Sequence, residues 1–248
     1  MKTVLLEHSE DIAILRLNNG VTNAISPQLV YDLSAAVNEC RNLCRGLILT
    51  GGSKFFSIGF DLPTLLPLNR NEIADFYNRF NRTALDIFTL PLPTVCAISG
   101  HAIAGGTILA LACDYRFAAQ ENKLLGLNEI KLGVPVPHLA DLMLRHIVAE
   151  RAATEIVYCG EFITAADSRQ IGLVDEICLA DTLEARAVEK VLELAALPAP
   201  AFAQIKDARV AGIRSEFLEK HPAKTRGFLD CWFDPAVRVL LTEAAKKF

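Results

Sequence analysis

Two stretches of this chain share one form: a short, continuously apolar run breaks into a glycine-containing turn that opens a further segment. The first is Gly46 to Thr50 (GLILT), followed by GGSKFFSIGFDL; the second is Thr94 to Ser99 (TVCAIS), followed by GHAIAGG and TILALAC. A short apolar run bounded by turn signals reads as a strand buried on both faces, and such strands belong to sheets covered by helices. The rest of the chain supplies them. Ser26-Pro27 offers an N-cap hydroxyl and a proline at the first helical position. Leu29, Leu33, Ala36, Val37 and Cys40 follow, spaced to face a core. Glu72 to Leu90 reads as a second helix and Gly105 to Cys113 as a buried one, with Tyr115 to Ala118 as a further strand. Val4 to Glu7 and Ile12 to Leu17 read as a hairpin around His8-Ser9-Glu10-Asp11. Strands alternating with helices predict an α/β fold built of βαβ units. After about Leu183 the strand signals fade, and helices separated by Pro198, Pro200, Pro222 and Pro235 take over. Trp232 and Phe233 in that portion read as packing residues. No repeat with a clean fixed period stands out.

Composition narrows the function classes. The chain has 248 residues, 52% of them hydrophobic, enough for one large α/β domain or a domain with an appendage. A net charge of -4 argues against a nucleic-acid partner. The apolar run from Ala102 to Cys113 is too short to cross a bilayer and contains Gly105 and Gly106, so no membrane partner is expected. The N-terminal MKTVLLEHSEDIAILRL is interrupted by Glu7, Glu10 and Asp11 and has neither a signal-peptide core nor the arginines of a transit peptide. The terminal AAKKF is not a peroxisomal address. A soluble cytoplasmic protein is the expectation. Seven cysteines without a CxxC, and no histidine pair near Cys40 and Cys44, read as free thiols with no metal role.

The chemistry is expected at the second glycine turn. Gly105 and Gly106 open an apolar helix, whose first N–H groups have no intrahelical acceptor and point out along the helix dipole. Glycine lets a ligand approach that backbone closely. Such an end suits a developing negative oxygen; taken alone it suits a tight packing site equally well.

Four segments, in one order, resemble the crotonase superfamily of acyl-coenzyme A enzymes. FFSIGFDL resembles its first oxyanion loop, SGHAIAGGTILALACDYRFA its second, GLNEIKLGVPVP its catalytic-glutamate segment, and GEFITAADSRQIGLVDEI the segment after that. The resemblance implies a crotonase-type ββα spiral core over residues 1–190 and a helical C-terminal oligomerisation region over residues 191–248. It implies oxyanion donors at the backbone N–H groups of Phe60 and Gly105, and Glu129 as the catalytic carboxylate. Ser57, Ile58, Gly59, Phe60, Asp61, Leu62 and Gly105 would form the acyl-CoA pocket, with Asp61 and Asp114 in structural roles. It implies an acyl-CoA thioester substrate, no separate cofactor because coenzyme A is part of the substrate, and a homotrimer or hexamer. The chain departs from the family in having Ile58 where Ala is common and Ala104 where Gly is common.

The resemblance also bears on the reaction. The superfamily's hydratases have two glutamates, one on each side of the attacking water. The matching positions here are Ile108 and Glu129, and isoleucine neither orients water nor takes a proton. A single carboxylate suits proton transfer from C2 to C4 of a 3-enoyl thioester, with oxyanion donors worth about 3 kcal/mol each. The Gly-Leu-Asn-Glu run, the GFDL loop and the apolar residue at position 108 are most similar to Δ3,Δ2-enoyl-CoA isomerases of fatty acid metabolism. Leu127 and Ile130 flank the glutamate, so a poorly solvated carboxylate of raised basicity is expected. A hydratase or other crotonase-type acyl-CoA enzyme, and a non-catalytic acyl-CoA-binding subunit, are the alternatives. His101, His138, Lys54, Lys246 and Lys247 read as packing or solvated residues. Leu62, Leu65, Leu66 and Leu68 line an acyl tunnel or simply pack.

Overall fold

The computed structural model describes residues 2–9, 11–120 and 122–246. The chain opens with the antiparallel hairpin β1 (Val4–Ser9) and β2 (Ile12–Leu17). In α1 (Pro27–Leu43) Ser26 Oγ accepts the Leu29 N–H at 3.2 Å, and the face read from the spacing is the buried one. β3 (Gly46–Thr50) passes to β4 (Phe55–Ser57), α2 (Leu62–Leu65) and α3 (Arg70–Phe88). α3 begins at Arg70 rather than Glu72 because Asn69 and Glu72 form a capping box. β5 (Thr94–Ile98) passes to β6 (His101–Ile103) and α4 (Gly105–Leu111). β7 (Tyr115–Ala119) passes to β8 (Leu124–Gly126), a 3-10 turn at Glu129–Leu132, α5 (His138–Ile147) and α6 (Glu150–Cys159). β9 (Ile163–Thr164), α7 (Ala165–Gln170) and β10 (Glu176–Cys178) follow. Three helices end the chain: α8 (Leu183–Ala195), α9 (Ala199–Trp232) and α10 (Pro235–Ala245).

The strands form two sheets. The larger has the order β1-β2-β3-β5-β7-β10, parallel from β2 onward. The smaller has the order β4-β6-β8-β9, with β4, β6 and β8 parallel and β9 antiparallel. Three times a strand of the large sheet hands the chain to a short strand of the small sheet and then to helix. This is the ββα spiral, and the helical C-terminal portion follows it. The second strand of each turn is three residues long in β4, β6 and β8; the first two fall in the glycine-containing turns and the third in a stretch that carries no strand signal. Three residues are too few to show a period of two.

Alternate residues of the large sheet enter opposite layers. Ala13, Leu15, Leu47 and Leu49 join the main core with α1 and α3. Ile12, Ile14, Ile48 and Val95 pack on the other face against Leu183, Ala187 and Val191 of α8. Gly46 has no room for a side chain because Val191 fills the space a Cβ would need.

Two partly buried ion pairs brace the large sheet, and one of them ties α9 to it. Asp114 Oδ2 accepts from the Thr94 N–H and hydroxyl, both at 2.9 Å, and from Lys206 Nζ of α9 at 2.7 Å. Arg116 donates to Asp175 at 3.0 Å and to the carbonyls of Leu173 and Cys113 at 2.8 and 2.7 Å. The Asp114 role matches its structural expectation. One expectation is corrected: Pro222 does not separate two helices but lies inside α9. The proline forgoes one helical N–H bond, and buried Phe217, Thr225, Phe228, Leu229 and Trp232 hold the helix in place on either side.

Among the described residues no helix is long and apolar enough to cross a membrane, and no group of three or more His, Cys, Asp or Glu is placed to hold a metal. All seven cysteines are free thiols, with Cys40, Cys96, Cys113 and Cys178 buried.

Candidate active site

The first glycine turn is fastened from behind. Ser57 is fully buried, and its Oγ donates to the Asn23 carbonyl at 2.7 Å and accepts the Gly59 N–H at 3.2 Å. Gly59 has φ of 89°, a left-handed conformation that glycine adopts without strain. Phe60 then bridges Ile25 in parallel: the Ile25 N–H meets the Gly59 carbonyl at 2.8 Å, and the Asp61 N–H meets the Ile25 carbonyl at 3.1 Å. Successive groups of an extended chain face opposite sides. The Phe60 N–H therefore points away from Ile25, and it has no acceptor among the described residues. Phe76 and Phe80 of α3 grip the Phe60 ring edge-on, each with centroids 4.9 Å away. Asp61 caps α2, accepting the Thr64 N–H at 3.2 Å and the Thr64 hydroxyl at 2.7 Å.

The second turn faces the first. Ala104 precedes α4 with φ of 48° and ψ of -116°, a conformation L-residues rarely hold. Its N–H is bound by the Gly126 carbonyl at 2.8 Å, and its carbonyl accepts the Ile108 N–H at 3.0 Å. The Gly105 N–H, first in the helix, has no acceptor among the described residues and projects from the helix end. Thr107 Oγ1 locks this end to the small sheet through the Ala102 carbonyl at 2.6 Å and Gly126 at 3.0 and 3.1 Å. The two turns touch. A Cβ on Gly59 would lie 3.1 Å from the Gly105 nitrogen, and one on Gly105 would lie 2.9 Å from Ile25 Cδ1. Two bare glycines thus let the two turns, each with a free N–H, pack against each other.

Glu129 begins the 3-10 turn after β8. Gly133, with φ of 76°, ends that turn, and the Val134 N–H closes on the Glu129 carbonyl at 3.1 Å. The Glu129 side chain is buried, and its Oε2 has no partner among the described residues. Burial raises its pKa to about 7, with only a backbone hydrogen bond pulling the other way. The group is poised to take and return a proton near neutral pH.

These parts meet in a cavity of about 380 Å³. Ile58, Phe60, Leu62, Gly105 and Glu129 line it. Ser57, Gly59 and Asp61 do not: they hold the turn that presents Phe60. Leu65, Leu66 and Leu68 pack in or against the core, outside the wall. Ile108 is buried within α4, also outside the wall. The sequence reading missed Asn128 and, above all, the contribution of the C-terminal helices, which bring Phe228, Trp232, Leu241 and Ala244 to the same cavity. About a hundred residues of chain separate these side chains from Glu129, so no local pattern announces the meeting. A wider cleft of about 770 Å³ lies beyond Phe228 and Val134, which line both, and Phe60, Gly105 and Glu129 are not on its wall.

The other candidates are not on the wall of this cavity. His101 Nδ1 accepts the Leu124 N–H at 3.0 Å, and burial with nearby Lys123 and Lys54 lowers its pKa. His138 lines the wider cleft; burial and Lys224 lower its pKa. Lys54 lies over the Phe55 ring at 5.7 Å, and Lys246 pairs with Glu243 at 2.6 Å. Lys247 lies outside the described residues.

Residues 7–231 match the sequence profile of the enoyl-CoA hydratase/isomerase family. The chain belongs to that family. A Bacillus subtilis protein named as an enoyl-CoA hydratase/isomerase is 32% identical over 212 residues, 84% of this chain and 81% of that protein. A Mycobacterium avium protein named as an enoyl-CoA hydratase is 34% identical over 186 residues, 73% of this chain and 72% of that protein. Among solved structures, human mitochondrial Δ3-Δ2-enoyl-CoA isomerase superposes with a TM-score of 0.95 at 25% identity, covering 99% of this chain and 97% of that one. Membership in the enoyl-CoA hydratase/isomerase family agrees with an acyl-CoA thioester as the substrate class and leaves the reaction to be argued from the site.

Proposed function

We propose that this enzyme is a Δ3,Δ2-enoyl-CoA isomerase of fatty acid metabolism, shifting a 3-enoyl-CoA double bond to the 2-position. The observation that carries the reading is that, among the described residues, Glu129 is the only acidic side chain on the cavity wall, while position 108 is a buried isoleucine. The thioester oxygen lies against the Phe60 and Gly105 N–H groups. Glu129 removes a proton from C2; charge flows onto the thioester oxygen, where the two donors hold it. The protonated Glu129 then delivers the proton to C4. One carboxylate serves both half-steps, and its pKa near 7 suits both directions of transfer. The fold of the human isomerase supports the reading. Coenzyme A enters as part of the substrate, and the assembly we infer is a homotrimer or hexamer.

Hydration is the second reading, favoured by the name of the M. avium relative. It needs a second group to orient water, and the wall offers only the neutral amide of Asn128 near Glu129 in the chain. A panel of 3-enoyl-CoA substrates, followed by the rise in conjugated absorbance, tests the proposal, with Glu129→Gln abolishing that rise. Faster loss of absorbance from a 2-enoyl-CoA than gain from its 3-enoyl isomer sinks it, as does near-normal turnover by Glu129→Gln.

A further inference from the structure

Three side chains on the cavity wall carry polar groups: Asn128, Glu129 and Trp232. Each has a buried polar atom with no partner among the described residues, namely Asn128 Oδ1, Glu129 Oε2 and Trp232 Nε1. The proton shuttle accounts for Glu129. Of the three unpartnered atoms Trp232 Nε1 is the one fixed donor, and it has no part in that chemistry. Its side chain is 1% exposed, with the Phe228 ring 5.7 Å away by centroid. A buried indole N–H without an acceptor is a defect that cores rarely keep. On the wall of a ligand cavity it has a use, because a ligand oxygen can complete it. An alkyl tail offers no acceptor, so a plain fatty chain leaves the defect in place.

We infer that the acyl pocket recognises a tail bearing an oxygen acceptor, a carbonyl, ether or hydroxyl oxygen that receives the Trp232 Nε1–H. The inference rests on the reading of this cavity as the acyl-CoA site and extends it to the class of tail. Carbons C1 to C4 are taken up by the thioester and the migrating double bond, so the oxygen belongs from C5 outward. Selectivity follows from the asymmetry of buried hydrogen bonds: a site built around a donor discriminates against the analogue that lacks the acceptor.

The test uses saturated acyl-CoAs, which bind without turnover. One series keeps a plain tail, and the other replaces a single methylene from C5 outward with a carbonyl or an ether oxygen. Calorimetry gives Kd for the wild type and for Trp232→Phe. At one position the oxygen is expected to tighten wild-type binding about tenfold, the effect of one well-made buried hydrogen bond, and Trp232→Phe brings the ratio to about one. The chain holds a single tryptophan, so its ¹⁵N spectrum carries one indole N–H resonance and needs no variant. The favoured oxygenated tail is expected to move that resonance downfield, and the plain tail is not. The inference is overturned if no oxygen position improves on the plain tail, if the advantage survives Trp232→Phe, or if the plain-tail acyl-CoA itself gives the downfield shift. The last result would put the acceptor on the coenzyme portion. Failure of every acyl-CoA to bind removes the acyl-CoA reading and this inference together, whereas equal binding of both series removes this inference alone.

Discussion

Glu129 carries opposite demands from the proposed catalysis and from folding. As the proposed base it works when ionised, so kcat/KM for a 3-enoyl-CoA is expected to rise with pH to a plateau with an apparent pKa near 7. A flat profile from pH 5 to 9 contradicts this. For stability the sign is reversed. Below its ordinary value of 4.5 the carboxyl is protonated in folded and unfolded chains alike; between there and about 7 the folded chain keeps a proton that the unfolded chain has released. Stability therefore falls as pH rises through that window, by about 3 kcal/mol in all. Glu129→Gln should be more stable than the wild type at pH 8 and nearly equal to it at pH 4.5, as read by denaturant midpoints. Ala104 is under backbone strain, with φ of 48° and no side-chain hydrogen bond of the kind that lets Asn23 hold a similar angle. Relief of the strain outweighs the added freedom of the unfolded chain, so Ala104→Gly is expected to stabilise by about 1 kcal/mol. Glu129 was legible because its segment resembles a family motif, and its flanking apolar residues pointed to burial. The strain at Ala104 was not legible, because composition does not reveal a dihedral angle.

At the scale of elements, the site depends on β4 and β6 bringing two turns into contact. Gly59 combines a left-handed backbone with the crowding of Gly105 and Ala104. Gly59→Ala is expected to cost on the order of 2–3 kcal/mol in stability and to lower kcat by about a hundredfold by displacing an oxyanion donor. Thermal melts and steady-state rates check both. Normal kcat in a folded Gly59→Ala protein would remove the donor role from this turn. The buried strands β3 and β5 and the helix α4 were readable from apolar runs. The short strands of the small sheet were not, because their pairing is decided by neighbours rather than by a pattern of their own. Pro222 misled for a related reason: a proline breaks an isolated helix, but α9 is held by the side chains it buries.

Over the whole molecule, α9 and α10 serve the site as well as the surface. Lys206 anchors α9 to Asp114 beneath the large sheet, and its side chain is only 5% exposed. Lys206→Met leaves Asp114 with its Thr94 bonds but without its counter-charge, and a loss of about 3 kcal/mol is expected in urea denaturation. An unchanged midpoint would show that the pair contributes nothing. That helices follow the core was plain from the sequence; that they reach back over Glu129 was not, since the separation is closed only in three dimensions. The cavity draws on Phe60, Gly105 and Glu129 from successive turns of the spiral, and on Leu241 and Ala244 from the last helix. Phe60, Gly105 and Glu129 are in place once the spiral has folded, yet the cavity wall is finished only by α10. A protein nicked just before Asp234 would keep every reacting group and lose its seal, and a peptide spanning α10 would restore activity by docking rather than by supplying chemistry.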